Sequence, residues 1–109
     1  MNIPFNKPYL SGNEIKYILN GISSGKMSGN GKYTKLCQNH FEKTLNSRKC
    51  LLTNSCTNAL EMTALLLDIK PEDEVIMPSF TFVSTANAFL LRGAKIIFCD
   101  SRIDHPGIN

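Results

Sequence analysis

From Lys49 to Cys99 the chain alternates short apolar runs with helix-length segments, and this rhythm limits its fold more than any other feature. Cys50–Thr53, Glu74–Met77 and Lys95–Cys99 read as strands, while Cys56–Asp68 and roughly Thr81–Leu91 read as helices. Pro71 with Glu72-Asp73 makes the first return turn, and Arg92-Gly93 ends the second helix with Gly93 as its C-cap. Strands alternating with helices of this length build βαβ units around a parallel sheet. The expected class is α/β. Ligands of such sheets gather at the carboxyl ends of the strands. Two segments fall there: the turn Asn54-Ser55-Cys56-Thr57 and the run Pro78–Ser84.

The first part of the chain has a different character. IPFNKPYLSG is an extended arm, because Pro4 and Pro8 lack a backbone donor and push the residue before them toward extended geometry. Ser11 or Asn13 then caps a helix over about Asn13–Ser23, with Ile15, Ile18, Leu19 and Ile22 forming one apolar stripe. Ser24–Gly31 is a loop with three glycines, and it matches neither a dinucleotide fingerprint nor a P-loop. Thr34 is a candidate cap for a second helix reaching about Leu45, which Asn46-Ser47 ends.

Composition removes several functions. The net charge of +3 is small and scattered, so nucleic acid is not an expected partner. Lys26, Lys32, Lys35 and Lys43 fall in one region, but with Glu42 among them they read as a solvated face. No apolar run approaches the roughly 18 residues that span a bilayer, so no membrane partner is expected. The N-terminus has no secretory h-region, which points to the cytoplasm. Cys37, Cys50, Cys56 and Cys99 include no C-x-x-C pair and no histidine at metal spacing. They read as reduced thiols, with Cys50 and Cys99 as small core residues, and no metal is expected.

Chemistry concentrates at the two strand ends. Cys56 and Thr57 open a helix, so their N–H groups lack intrahelical partners and face outward at the positive end of the helix dipole. That is how α/β proteins hold a phosphate. For the turn alone, capping by Ser55 or Thr57 is the simpler alternative. Phe82, at the start of the next helix, can lie flat against a planar heterocycle, or it can pack in the core. Lys26 could reach a phosphate or stay solvated. His40 and His105 have no acid or nucleophile partner at a telling position, and Asp100 reads as a turn residue. No catalytic residue is assigned.

These blocks together resemble the N-terminal part of the DegT/DnrJ/EryC1/StrS sugar aminotransferases, pyridoxal-phosphate (PLP) enzymes of the aspartate-aminotransferase fold type. The resemblance runs through IPFNKPYLSGNE, SGKMSGNGKYTKLCQNHFE, LLTNSCTNALEMTALLLDI and DEVIMPSFTFVSTANAFLLRGAKIIFCD. SGKMSGNG and TNSCTNALEMTALLLDI look similar to the branch that aminates dTDP-4-keto-6-deoxyhexoses. The resemblance implies an incomplete fold type I large domain. Residues 1–48 would be an arm with two helices, and residues 49–109 the start of the cofactor domain. It implies that Cys56, through its N–H, and Thr57 bind the phosphate of pyridoxal 5'-phosphate, and that Phe82 stacks on the pyridine ring. Asn6, Lys7 and Lys26 would line the nucleotide-sugar site, partly across a homodimer interface, with glutamate as amino donor.

Two departures follow from the same resemblance. The family's usual Gly in the turn before the second strand is Glu72, expected to be a harmless surface change. The family's Schiff-base lysine would lie beyond Asn109, so the chain alone is expected to be inactive, and an interrupted gene is an alternative. Relatives that carry histidine in place of that lysine dehydrate the sugar, and nothing before Asn109 separates them. In that fold the first strand lies at the opposite edge of the sheet from the second and third.

Overall fold

A computed structural model describes residues 2–105 and 107–109. Pro106, in the turn expected at Asp104–Gly107, lies outside the described residues. The chain divides into two compact units, one ending at Leu52 and the other running Thr53–Asn109.

The first unit holds α1 (Glu14–Ser23) and α2 (Lys32–Thr44). The expected cap of α1 is replaced by a different device. The side chain of Asn13 makes no capping bond. Instead the Glu14 carboxylate reaches back and accepts the Ser11 N–H at 2.6 Å and the Gly12 N–H at 2.9 Å. A carboxylate at the positive end of the helix is favoured there. Helix α2 starts at Lys32 with Gly31 in the cap position, so Thr34 lies inside the helix rather than capping it. Asn46, at φ +50°, ends α2, with the Ser47 N–H returning to the Glu42 carbonyl at 3.0 Å. Tyr33 packs edge-on against Tyr17 and donates its hydroxyl to Asn20 Oδ1 at 2.7 Å, which joins the two helices.

The second unit holds α3 (Cys56–Leu66), β1 (Glu74–Pro78), α4 (Val83–Leu90) and β2 (Lys95–Cys99). β1 and β2 pair in parallel, Glu74 opposite Lys95 through Pro78 opposite Cys99, so β1–α4–β2 is the expected βαβ unit. α4 packs on β2 and on α3. Among the described residues the buried hydrophobics are Ala64, Met77, Ala88 and Ala94. Ala64 of α3 and Ala88 of α4 are small, which lets the helix backbones approach closely. α3 stops at Leu66, two residues short of the expected end, because Asp68 takes φ +54° and the Ile69 N–H bonds the Ala64 carbonyl. Gly93 closes α4 in the same way at φ +89°, and a Cβ there would sit 3.0 Å from Pro71 Cγ, so the turn also requires its bareness.

Two further expectations need correction. Cys50–Thr53 is not a strand: a strand exists through its ladder, and no described residue pairs with this segment. Cys50 is accordingly half-buried outside any strand, its N–H donated to Glu42 Oε1 at 3.1 Å, and Cys99 is half-buried in β2. Glu72 is not a neutral replacement for glycine, since it stands at φ +82°, where a side chain is strained. All four cysteines are free thiols.

Candidate functional site

Of the two polar segments, Pro78–Ser84 follows the carboxyl end of β1, whereas the Asn54–Thr57 turn follows no strand among the described residues and meets the first segment through the start of α3. β1 ends at Pro78, the Ser79 N–H bonds the Cys99 carbonyl at the end of β2, and α4 begins four residues further on. Phe82 is the N-cap residue of α4, in extended geometry and with no side-chain capping bond. Its side chain is exposed (75%) among the described residues, as are most of the large apolar side chains of this chain.

The turn before α3 separates the two roles that its sequence left open. Ser55 is the cap: its Oγ accepts the Asn58 N–H at 3.1 Å, and its carbonyl accepts the Ala59 N–H. Thr53 Oγ1 and the Asn54–Asn58 side-chain pair brace the turn. Among the described residues, the N–H groups of Cys56 and Thr57 meet no acceptor. They open the N-terminus of an eleven-residue helix, which carries roughly half a positive charge. With capping done by Ser55, the Thr57 side chain is released for another purpose. Its Oγ1 donates to Ser84 Oγ at 3.1 Å, between two half-buried side chains.

That bond joins the first turn of α3 to the first turn of α4, and Ser84 is two residues beyond Phe82. Cys56, Thr57, Ser84 and Phe82 are therefore one local constellation of amide donors, hydroxyls and an aromatic face. It suits a phosphorylated planar heterocycle: donors for the acceptor-only phosphate oxygens, and a ring for the flat part. The residues present fit pyridoxal 5'-phosphate on this count. Ser84 was not singled out in the sequence, where it is one hydroxyl among several in Pro78–Thr85.

Asn6, Lys7 and Lys26 belong to the first unit and are exposed. Asn6 and Lys7 lie in the arm without regular structure. Lys26 borders a hollow of about 120 Å³ with Asn20, Gly21, Ser24, Ser28 and Gly31. Among the described residues no cluster of three or more His, Cys, Asp or Glu side chains could hold a metal ion. No helix among them is long and apolar enough to cross a membrane.

Fold and geometry together define an α/β unit in which the open start of α3 is bonded to the first turn of α4, beside the exposed Phe82. The chain belongs to the DegT/DnrJ/EryC1/StrS aminotransferase family, whose model matches residues 8–109. It is 36% identical over 98 residues to a GDP-perosamine synthase of Vibrio cholerae, covering 90% of this chain and 27% of that protein. It superposes with a TM-score of 0.88 and 28% identity on a protein of Streptococcus pneumoniae assigned as a sugar aminotransferase, in a PMP form. That match covers all of this chain and 27% of the other. A GDP-4-keto-6-deoxy-D-mannose-3-dehydratase of Escherichia coli with bound hydrated PLP shares the fold at TM-score 0.87 and 24% identity, over 99% of this chain and 29% of its own. The chain spans about a quarter of the length of these relatives.

Proposed function

We propose that this chain is the cofactor-anchoring N-terminal part of a PLP-dependent nucleotide-sugar aminotransferase. The single observation that carries the reading is the paired helix start. The unpartnered Cys56 and Thr57 N–H groups open α3, and the exposed Phe82 opens α4, with Thr57 and Ser84 bonded between them. In this reading the Cys56 and Thr57 amides, with the Thr57 hydroxyl, hold the phosphate, and Phe82 covers one face of the pyridine ring. Bound PLP supplies the electron sink and the amino carrier. The chain's own residues bind and orient it.

The whole protein transfers an amino group from glutamate to the keto carbon of a nucleotide-linked 4-keto-6-deoxyhexose, for surface polysaccharide. It works as a cytoplasmic homodimer in which Asn6, Lys7 and Lys26 face the nucleotide sugar. Similarity in SGKMSGNG and TNSCTNALEMTALLLDI favours a dTDP-linked sugar, whereas the Vibrio relative has GDP in its name. In this reading the 109 residues bind and orient the cofactor, and the lysine that holds it covalently belongs to another part of the protein.

The test uses protein purified from the complete reading frame around this chain. It should absorb in the visible with PLP bound, and borohydride should fix the cofactor to it. Given glutamate and either dTDP- or GDP-4-keto-6-deoxyhexose, it should yield the amino sugar and 2-oxoglutarate. A colourless protein that PLP cannot restore would overturn the reading. Loss of the sugar hydroxyl instead of amination would assign it to the dehydratases.

A further inference from the structure

We propose that Ser84 is a positioning residue that presents the Thr57 hydroxyl to the cofactor phosphate. This rests on the reading of the α3 turn as the phosphate site. Thr57 Oγ1 and Ser84 Oγ lie 3.1 Å apart and half-buried, and among the described residues the Thr57 hydroxyl has no other side-chain partner. Each hydroxyl has one hydrogen to donate and two lone pairs. As the structure stands, Thr57 donates to Ser84.

A phosphate at the start of α3 changes that assignment. Its oxygens only accept, so Thr57 must turn its hydrogen toward them and loses its present acceptor. Ser84 can then rotate its own hydrogen onto Thr57 Oγ1. The pair reverses direction without moving a heavy atom. Thr57 keeps two partners, its rotamer is held, and a donated hydrogen bond polarises it as a donor. The same contact ties the first turn of α3 to the first turn of α4, which fixes the spacing between the phosphate donors and Phe82. An alanine at position 84 would leave the Thr57 hydroxyl free to turn away.

The experiment compares two ligands that differ only in the phosphate. Protein from the complete reading frame is titrated with pyridoxamine 5'-phosphate and with pyridoxamine, as wild type, Ser84→Ala and Ser84→Thr. Loss of one hydrogen bond to a charged group costs about tenfold in affinity. Ser84→Ala should therefore weaken the phosphorylated ligand about tenfold and leave pyridoxamine unchanged, and Ser84→Thr should restore wild-type discrimination. Equal weakening of both ligands would mean that Ser84 only holds the helices together, and it overturns the proposal. So would wild-type affinities in Ser84→Ala. If the wild type itself does not distinguish the two ligands, the phosphate-site reading fails first, and that result is separable from the others.

Discussion

Glu72 occupies a left-handed backbone position at φ +82°, between Pro71 and the start of β1. A non-glycine residue there carries strain of about 1–3 kcal/mol. Part of it is offset by the ion pair between Glu72 and Lys95, but both side chains are largely exposed, so that pair is worth at most about 1 kcal/mol. Restoring glycine also enlarges the freedom of the unfolded chain by about 0.5–1 kcal/mol. The balance favours glycine. Glu72→Gly should raise unfolding free energy by about 0.5–1 kcal/mol, while Glu72→Ala, which keeps the strain and loses the pair, should lower it slightly. Urea midpoints of the three proteins decide this, and a Glu72→Gly protein less stable than Glu72→Ala would show that the turn is not strained. From sequence the substitution looked superficial, because exposure is legible in a Pro-Glu-Asp turn and backbone handedness is not.

At the scale of elements, the α3 turn offers a way to separate capping from binding. Ser55 caps through its hydroxyl oxygen, and aspartate caps as well as serine does. An added carboxylate beside the Cys56 and Thr57 amides would nevertheless repel a phosphate. Ser55→Asp should keep the denaturation midpoint near wild type while markedly weakening PLP binding. Ser55→Ala should cost about 1 kcal/mol of stability. If Ser55→Asp binds PLP as well as wild type does, the phosphate does not lie at this helix end.

Helix α1 carries a pH dependence of its own. Hydrogen bonds from the Glu14 backbone N–H first, and then from Ser11, hold the Glu14 carboxyl below its ordinary 4.5. A depressed folded-state value means that the stabilisation is present above the ordinary value and is lost as pH falls through the folded one. Helicity followed by circular dichroism should fall below about pH 4.5, and Glu14→Gln should flatten that part of the curve. A wild-type curve as flat as that of Glu14→Gln would remove this role. The helix itself was legible from its Ile15–Ile22 stripe. Its cap was not, because Ser11 and Asn13 are better known cap residues than a glutamate inside the first turn.

For the whole molecule, the apolar stripe of α1 is solvent-facing, with Ile15 72% and Ile18 60% exposed. Leu51, Leu65, Leu66 and Phe98 are exposed in the same way, and among the described residues the buried hydrophobics are three alanines and Met77. Surfaces of this kind mark contact sites or aggregation hazards. The isolated 109 residues should therefore be poorly soluble or partly folded, and a sharp, cooperative unfolding transition at low protein concentration would contradict this. The βαβ unit and the polar turns before α3 and α4 could be read in advance, because strand and helix periods and polar turn residues are local signals. The expected strand at Cys50–Thr53 could not be secured locally, since its existence depends on a pairing partner. The Thr57–Ser84 contact spans 27 residues, and sequence spacing alone does not reveal it.

The central claim is that the start of α3 holds the phosphate of the cofactor. The most direct measurement follows the backbone amide resonances of Cys56 and Thr57 in nitrogen-15-labelled protein from the complete reading frame. Pyridoxamine 5'-phosphate and pyridoxamine are added in separate titrations. Both amides should shift downfield with the phosphorylated ligand, as unpartnered N–H groups gain a charged acceptor, and should stay in place with pyridoxamine. Saturable binding of the phosphorylated ligand that leaves both amides unmoved would contradict the account.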